Sequence, residues 1–413
     1  MQALIFEPDH GGHRLHHVRL LANSLLACSV EVTVALTEKA LTSPEFKLHL
    51  SEIGDKIKLY SEMPLLPQGS LKVAAMRVRQ LRQAVERANA EWAYVPYADA
   101  MGQLLGVRRT LGLSHLPEGI PVEGLMFRGG FAYPQPNRWR QVAQHISWRA
   151  ACAASWKVMH ILDPLVYEPT VRHGGTIAKR CRLMPDPVEI HDTFDRSIAR
   201  TRLGIPVDGR YAGCVGLIDR RKGVDLLIRA FAAANFPVDY RLLLAGQHEA
   251  AIREMLAGPF RSLVQSGRIV CFDKALPMHQ LLDALTAMDI VCTPYPNHVG
   301  SASIVIRAAA AQRPVLGHAG GWTGAIVPRF GLGWTCNVLD LGAFVVSLQR
   351  AMDHAIEYSP PETAHNFVRF HSVKNFQACW TAEIRNYLGL PSEKEYQSWE
   401  SVGEPSRART GAL

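Results

Sequence analysis

The sequence predicts an α/β protein made of two consecutive doubly wound domains. Three observations carry that prediction. Short apolar runs alternate with segments of helical periodicity from the first residues onward. The alternation stops at a proline-bearing stretch near the middle of the chain and then restarts. A chain of 413 residues, 48% of them hydrophobic, is also longer than one ordinary core encloses.

Ala3 to Phe6 reads as a buried strand. His13 to Cys28 carries Leu15, Val18, Leu21, Ala22 and Leu25 at helical spacing, and Val30 to Leu36 is a second strand. Strand, helix, strand implies a parallel sheet. Lys72 to Ala90 is a further helix, Trp92 to Val95 a strand, and Val158 to Leu162 the last strand of the first half. Two prolines in Cys181-Arg-Leu-Met-Pro-Asp-Pro-Val-Glu189 interrupt the pattern and place the domain joint, so the first domain is residues 1–185.

The second half, residues 186–370, repeats the rhythm. Strands are expected at Tyr211 to Leu217, Tyr240 to Ala245, Arg268 to Phe272, Ile290 to Thr293 and Pro314 to Gly317. Helices are expected at Val224 to Ala234, Glu249 to Val264, Met278 to Met288 and Ile304 to Ala311. Phe344 to Tyr358 and Val373 to Leu388 form terminal helices, and residues 393–413 turn polar, as a frayed tail does.

Charge narrows the partners. The chain carries 45 Lys and Arg against 37 Asp and Glu, a net +8, which points to an anionic ligand or surface. Residues 1–185 hold 22 cations against 15 acids, the remainder 23 against 22, so the first domain carries the basic character. Lys72, Arg77, Arg79, Arg82 and Arg87 fall on the 72–90 helix, read either as an ordinary solvated face or as a surface for anionic lipid headgroups. The basic residues are not interleaved with aromatics, so nucleic acid is not an expected partner. Eight widely spaced cysteines with no C-x-x-C pair suit a reduced, cytoplasmic compartment. No apolar window reaches membrane-spanning length, which leaves at most peripheral contact at the inner face of a membrane.

Three loops hold the residues that can do chemistry. Glu7-Pro-Asp-His-Gly-Gly-His13 runs from a strand into a helix, and Gly11 and Gly12 let backbone N–H groups approach an anion at the helix N-terminus. The dinucleotide fingerprint G-x-G-x-x-G is absent, which disfavours a nicotinamide enzyme. His13, His16 and His17 suggest metal only weakly, and no metal or other cofactor is expected. In the second half, Gly216, Arg220, Arg221 and Lys222 sit between a strand and its helix, where a diphosphate is clamped and a departing phosphate stabilised. Gly300, Ser301 and Ser303 open the next helix, as caps or as donors to phosphate or sugar oxygens, with Arg307 one turn further in. Costly to bury unpaired, Arg307 either reaches solvent or meets an anion. His318-Ala-Gly-Gly-Trp-Thr-Gly324 reads as a second Gly-rich loop.

The order of these motifs resembles the retaining glycosyltransferases of family 4, with the GT-B architecture of two facing Rossmann-like domains. The likeness runs from Val215-Gly through Arg-Lys-Gly-Val-Asp-Leu-Leu-Ile-Arg-Ala-Phe231, Leu243-Leu-Ala-Gly246 and Ala287-Met-Asp-Ile-Val-Cys-Thr-Pro294 to Arg307-Ala-Ala-Ala-Ala-Gln-Arg-Pro-Val315 and Gly331-Leu-Gly333. The segment after Phe370 looks like the family's crossover helix, 371–392, which returns to the first domain. Two departures mark a divergent member. The family's two glutamates, seven residues apart, are Val299 and Arg307 here, and its arginine after the strand-end glycine is Leu217.

The resemblance implies a nucleotide-diphosphate sugar as donor, bound mainly by the second domain, and a glycan or glycolipid acceptor bound by the first. Arg221 and Lys222, with the amides of Gly11 and Gly12, would neutralise the leaving group without metal, and the leaving phosphate would take the acceptor proton with retention. A rival route uses His13 as general base, oriented by Asp99, and inverts the anomeric centre. A binding or scaffold subunit that has lost turnover stays open because the paired glutamates are missing. A nucleotide-sugar epimerase of the same architecture is disfavoured by the scarcity of carboxylates.

Overall fold

A computed structural model describes residues 1–11, 14–64, 71–110, 116–172, 174–190 and 195–402 of the chain. It falls into two compact units: Met1–Pro185 with Val373–Ser398, and Asp186–Ser372 with the chain from Trp399 onward.

The first unit is built on seven parallel strands: β1 (Gln2–Phe6), β2 (Glu31–Ala35), β3 (Lys58–Tyr60), β4 (Trp92–Val95), β5 (Val122–Met126), β6 (Val158–Ile161) and β7 (Cys181–Leu183). They lie in the order β3-β2-β1-β4-β5-β6-β7. β1 and β4 are fully apolar inside because helices cover both faces of a parallel sheet. Helix Arg14–Ala27 buries Leu15, Val18, Leu21, Ala22 and Leu25, the residues its periodicity singles out. Helix Val373–Tyr387 follows the second unit in sequence and belongs to the first in space. Phe376, Trp380 and Ile384 enter the same core as Leu21, Trp92 and Tyr94, and the Trp380 ring stands edge-on to Tyr94 at 5.6 Å.

β6 is not the last strand of this unit. Met159–Ile161 pairs in parallel with Cys181–Leu183, and the prolines at 185 and 187, which cannot donate to a ladder, follow directly. Three residues suffice for β7 because an edge strand is bonded on one side only.

Helix Leu71–Ala88 buries Ala74, Val78, Leu81, Ala84 and Val85 against its unit. Its cations do not share a face. Arg79 and Arg87 are exposed, whereas Arg77 is 5% exposed and turned inward, its Nη2 3.1 Å from Asp9 Oδ1 and its Nη1 donating to Gln80 Oε1 at 3.3 Å. The Lys72 side chain lies outside what is described.

The second unit carries β8 (Arg210–Val215), β9 (Tyr240–Ala245), β10 (Ile269–Phe272), β11 (Ile290–Thr293), β12 (Val315–His318) and β13 (Gly333–Cys336). They are parallel and ordered β10-β9-β8-β11-β12-β13. The expected helix from 249 to 264 is two helices, Ala250–Ala257 and Arg261–Gln265. Gly258, as the residue before Pro259, is pushed out of the helical region, and Pro259 has no amide to continue the ladder. The glycines at 320–324 do not form an open loop: helix Gly321–Arg329 begins among them, and a Cβ on Gly324 would sit 2.0 Å from the Ala319 carbonyl oxygen. The polar segment from 393 is not frayed throughout, since Trp399 is buried with its ring 5.0 Å from Phe370 and 5.5 Å from Phe330. All eight cysteines are unpaired.

Candidate functional site

Both sheets reverse their strand order once, between β1 and β4 in the first unit and between β8 and β11 in the second. At such a reversal the loops leaving two adjacent strands diverge and open a crevice at the carboxyl edge of the sheet, where ligands of doubly wound folds bind. The predicted loops sit at these edges.

In the second unit, β8 ends at Val215 and Gly216 follows with φ +93°, a backbone conformation that disfavours a side chain. Asp219 caps the turn Arg220–Lys222 by accepting the Lys222 amide at 2.9 Å. That cap decides which cation points where. Arg220 and Arg221 are exposed, Arg221 with its Nε 3.5 Å from Asp219 Oδ2. Lys222 folds back over the strand end. Its ammonium lies 3.5 Å from the Val215 carbonyl oxygen and 5.9 Å from the centre of the Tyr295 ring, and a Cβ on Gly216 would stand 3.1 Å from Nζ. Burial lowers the lysine pKa, with Asp219 acting in the opposite sense. Among the described residues no carboxylate forms an ion pair with this ammonium.

The loop after β11 closes on the same turn. The Tyr295 amide donates to the Lys222 carbonyl at 3.1 Å, and Gly223, at φ +70°, lies against Pro294 and Pro296. His298 follows, its ring 5.4 Å from Tyr295 and its Nε2 3.0 Å from the Ser301 carbonyl oxygen; burial lowers its pKa. Gly300 turns the chain at φ +94° into helix Ser303–Ala310. The hydroxyl residues are not its caps. Ala302 is the N-cap and offers no side-chain acceptor, while Ser301 Oγ donates to Asp186 Oδ2 at 2.8 Å. The helix start therefore keeps amides that no cap side chain takes, beside a loop that leads back to Lys222.

Arg307 is buried, its Nη1 3.5 Å from Met278 Sδ. Burial lowers its pKa and the charges of Asp186 and Glu189 support it.

In the first unit, Gly11 ends the described part of the β1 loop; Gly12 and His13 lie outside the described residues. Asp99 opens helix Asp99–Thr110 and takes two amides, Phe127 on Oδ2 and Arg128 on Oδ1, each at 2.9 Å; burial raises its pKa. This ties the β4 loop to the end of β5.

The sequence does not single out the charged group beside these residues. Glu7, 1% exposed at the end of β1, accepts from Arg14 Nη1 at 2.7 Å, and burial pushes its pKa up to about 7 against the opposing pull of Arg14. Its second oxygen, Oε2, has no hydrogen-bond partner among the described residues. The Arg14 guanidinium lies 3.5 Å from the centre of the Tyr97 ring, on the β4 loop, and 3.5 Å from Asp9 Oδ2. A carboxylate directly at the end of the first strand is the signal the sequence offered, although its burial depends on the neighbouring strand. Among the described residues no group of three or more potential ligands could hold a metal ion.

Compared with protein-family models and with curated proteins, the sequence matches none. Solved structures do match. Sucrose-phosphate synthase from Thermosynechococcus elongatus is 16% identical, with a TM-score of 0.67 over 94% of this chain and 99% of that one. Anabaena HepE in complex with UDP is 14% identical, TM-score 0.60, over 94% and 100%. WaaG, a glycosyltransferase involved in lipopolysaccharide biosynthesis, is 16% identical, TM-score 0.59, over 94% and 100%. Likeness at this level of identity, together with the two parallel sheets and the helix that returns to the first, establishes the GT-B fold.

Proposed function

We propose that the protein is a glycosyltransferase of the retaining, family 4 type, which moves a sugar from a nucleotide-diphosphate donor held by the second unit to a glycan or lipid-linked acceptor held by the first. The observation that carries this reading is Lys222, an inward-turned ammonium with no carboxylate ion-pair partner among the described residues, at the strand reversal of the second sheet. A diphosphate placed there meets that charge and the amides at the start of helix Ser303–Ala310. Two of the similar structures support the donor class, since they are HepE with UDP and HepE with UDP-glucose.

In the reaction the bond from the anomeric carbon to the diphosphate oxygen breaks and a bond to the acceptor hydroxyl oxygen forms on the same face. The acceptor proton passes to the departing phosphate. The second negative charge that grows on this phosphate is what Lys222 stabilises, and such a preorganised charge acts mainly in the transition state. No step calls for a metal ion. Arg220 and Arg221, being exposed, serve the approach of the anion more than its final seat.

Incubation with UDP-, GDP- and ADP-sugars in the presence of glycan and glycolipid extracts tests the reading. Consumption of one donor, with the product's anomeric configuration equal to the donor's and unchanged rate in EDTA, is expected. A binding subunit, favoured by Val299 and Arg307 at the glutamate positions, predicts nucleotide binding without consumption.

A further inference from the structure

Helix Arg138–Ala153 turns an apolar stripe outward. Trp139 is 85% exposed, Val142 50% and Ile146 63%. At i, i+3 and i+7 they form one line along the helix. The opposite face is fully used: Trp148, Ala151 and Cys152 are buried, Trp148 Nε1 donates to Thr170 Oγ1 at 2.8 Å, and Gln141 Nε2 donates to the Phe131 carbonyl at 2.6 Å. Asn137 caps the start by accepting the Arg140 amide at 2.8 Å. The helix is thus anchored from behind, and its stripe is not needed for folding.

The stretch of chain that carries the helix has charge of one sign, although Lys157 Nζ lies 3.5 Å from Glu383 Oε2. Residues 124–162 contain no Asp or Glu, and their five cations, Arg128, Arg138, Arg140, Arg149 and Lys157, are all exposed. By helical spacing Arg138 and Arg149 flank the stripe on one side and Arg140 on the other. An exposed apolar line with an aromatic at its end and arginines on both flanks has the composition of a helix that lies in a membrane interface. A twofold contact between copies would set arginines against arginines.

We propose that this helix docks the protein on a bilayer surface rich in anionic phospholipid, Trp139 and Ile146 entering the headgroup boundary and Arg138, Arg140 and Arg149 meeting the phosphates. The inference relocates the membrane contact from helix Leu71–Ala88, whose apolar face is consumed by its own unit and whose Arg77 points inward. It is independent of the transfer reaction.

Flotation of the full chain with vesicles of phosphatidylcholine alone or with 30 mol% phosphatidylglycerol tests it. Roughly tenfold or greater enrichment on the anionic vesicles, reversed by salt, is expected from three arginines near the surface. Trp139→Ser with Ile146→Ser, and separately Arg138→Glu with Arg140→Glu, should each abolish flotation while leaving the melting temperature unchanged, both pairs being exposed. Arg79→Glu with Arg87→Glu should not. The proposal is overturned by absence of flotation, by flotation that survives both helix variants, or by a concentration-dependent dimer that the Trp139 and Ile146 changes dissolve.

Discussion

Ser301 Oγ donates to Asp186 Oδ2 at 2.8 Å, joining the entrance of helix Ser303–Ala310 to the first residue of the second unit. The Asp186 amide in turn donates to His371 Nδ1 at 2.9 Å, and its carboxylate supports the charge of buried Arg307. One aspartate therefore couples the beginning of the unit, its end and the start of its candidate anion-binding helix. Asp186→Asn should lower the unfolding free energy by about 1–3 kcal/mol, because it leaves a buried guanidinium with one anion fewer. A urea midpoint equal to that of the unaltered protein would show that Glu189 alone suffices.

Lys222→Ala should weaken binding of a nucleoside diphosphate by about tenfold to a hundredfold, the loss of one charge-assisted contact of roughly 1.5–3 kcal/mol. Arg220→Ala and Arg221→Ala should each cost less than about threefold, as exposed charges do. Gly216→Ala should weaken binding as well, since its Cβ would crowd Nζ at a φ of +93°. Calorimetric titration with UDP and GDP ranks the four; an equal loss for all three cations would refute the distinction between them.

The Glu7 carboxyl, with a pKa pushed up to about 7, binds a proton more tightly in the folded than in the unfolded chain. Its contribution is present in full below about pH 4.5 and is lost as pH rises through about 7, a change of roughly 3 kcal/mol. Glu7→Gln should remove that slope. The difference in urea midpoint between Glu7→Gln and the unaltered chain is expected to grow in favour of the variant from pH 4.5 to pH 8, and a difference independent of pH contradicts the assignment.

His160 and His371 carry the opposite sign. Burial pushes each pKa down to about 3, so both are neutral in the folded protein and gain protons readily once unfolded. Their contribution is present above about pH 6.5 and is lost as pH falls toward 3. His371 Nδ1 must stay unprotonated to accept the Asp186 amide. Proton NMR of the imidazole Hε1 signals should show that His160 and His371 do not titrate between about pH 5 and 8, where an ordinary imidazole does.

Arg77→Ala should destabilise the first unit by about 1–3 kcal/mol, through lost stem packing and the lost bond to Asp9, whereas Arg79→Ala and Arg87→Ala should stay within about 0.5 kcal/mol. Comparable effects at all three positions in thermal unfolding would restore the reading of one uniform cationic face.

The alternation of apolar runs with helical periodicity was enough to read most of both sheets, because a strand covered on two faces must be apolar along its length. β4, β9 and β11 end where the runs end. β3, β7 and β13 escaped because short edge strands bury less and so show no run; β5 escaped although it is buried throughout between β4 and β6, because Glu123 and Gly124 interrupt its apolar run. The position of Gly216 to Lys222 and of Gly300 to Arg307 at strand-to-helix turns of the second sheet was likewise legible, since a doubly wound chain places every such turn at the same edge of its sheet.

What the sequence pattern carried by itself was therefore the two-sheet α/β class and the position of the cations after the first strand of the second half. Which of those cations turns inward was decided by Asp219 capping the turn and by Tyr295 arriving from a strand more than seventy residues on. Arg77 reads as surface until Asp9 meets it, and Glu7 as one acid among many until its neighbours exclude water. Burial and charge pairing are properties of groups distant in sequence, so only the tertiary structure fixes them.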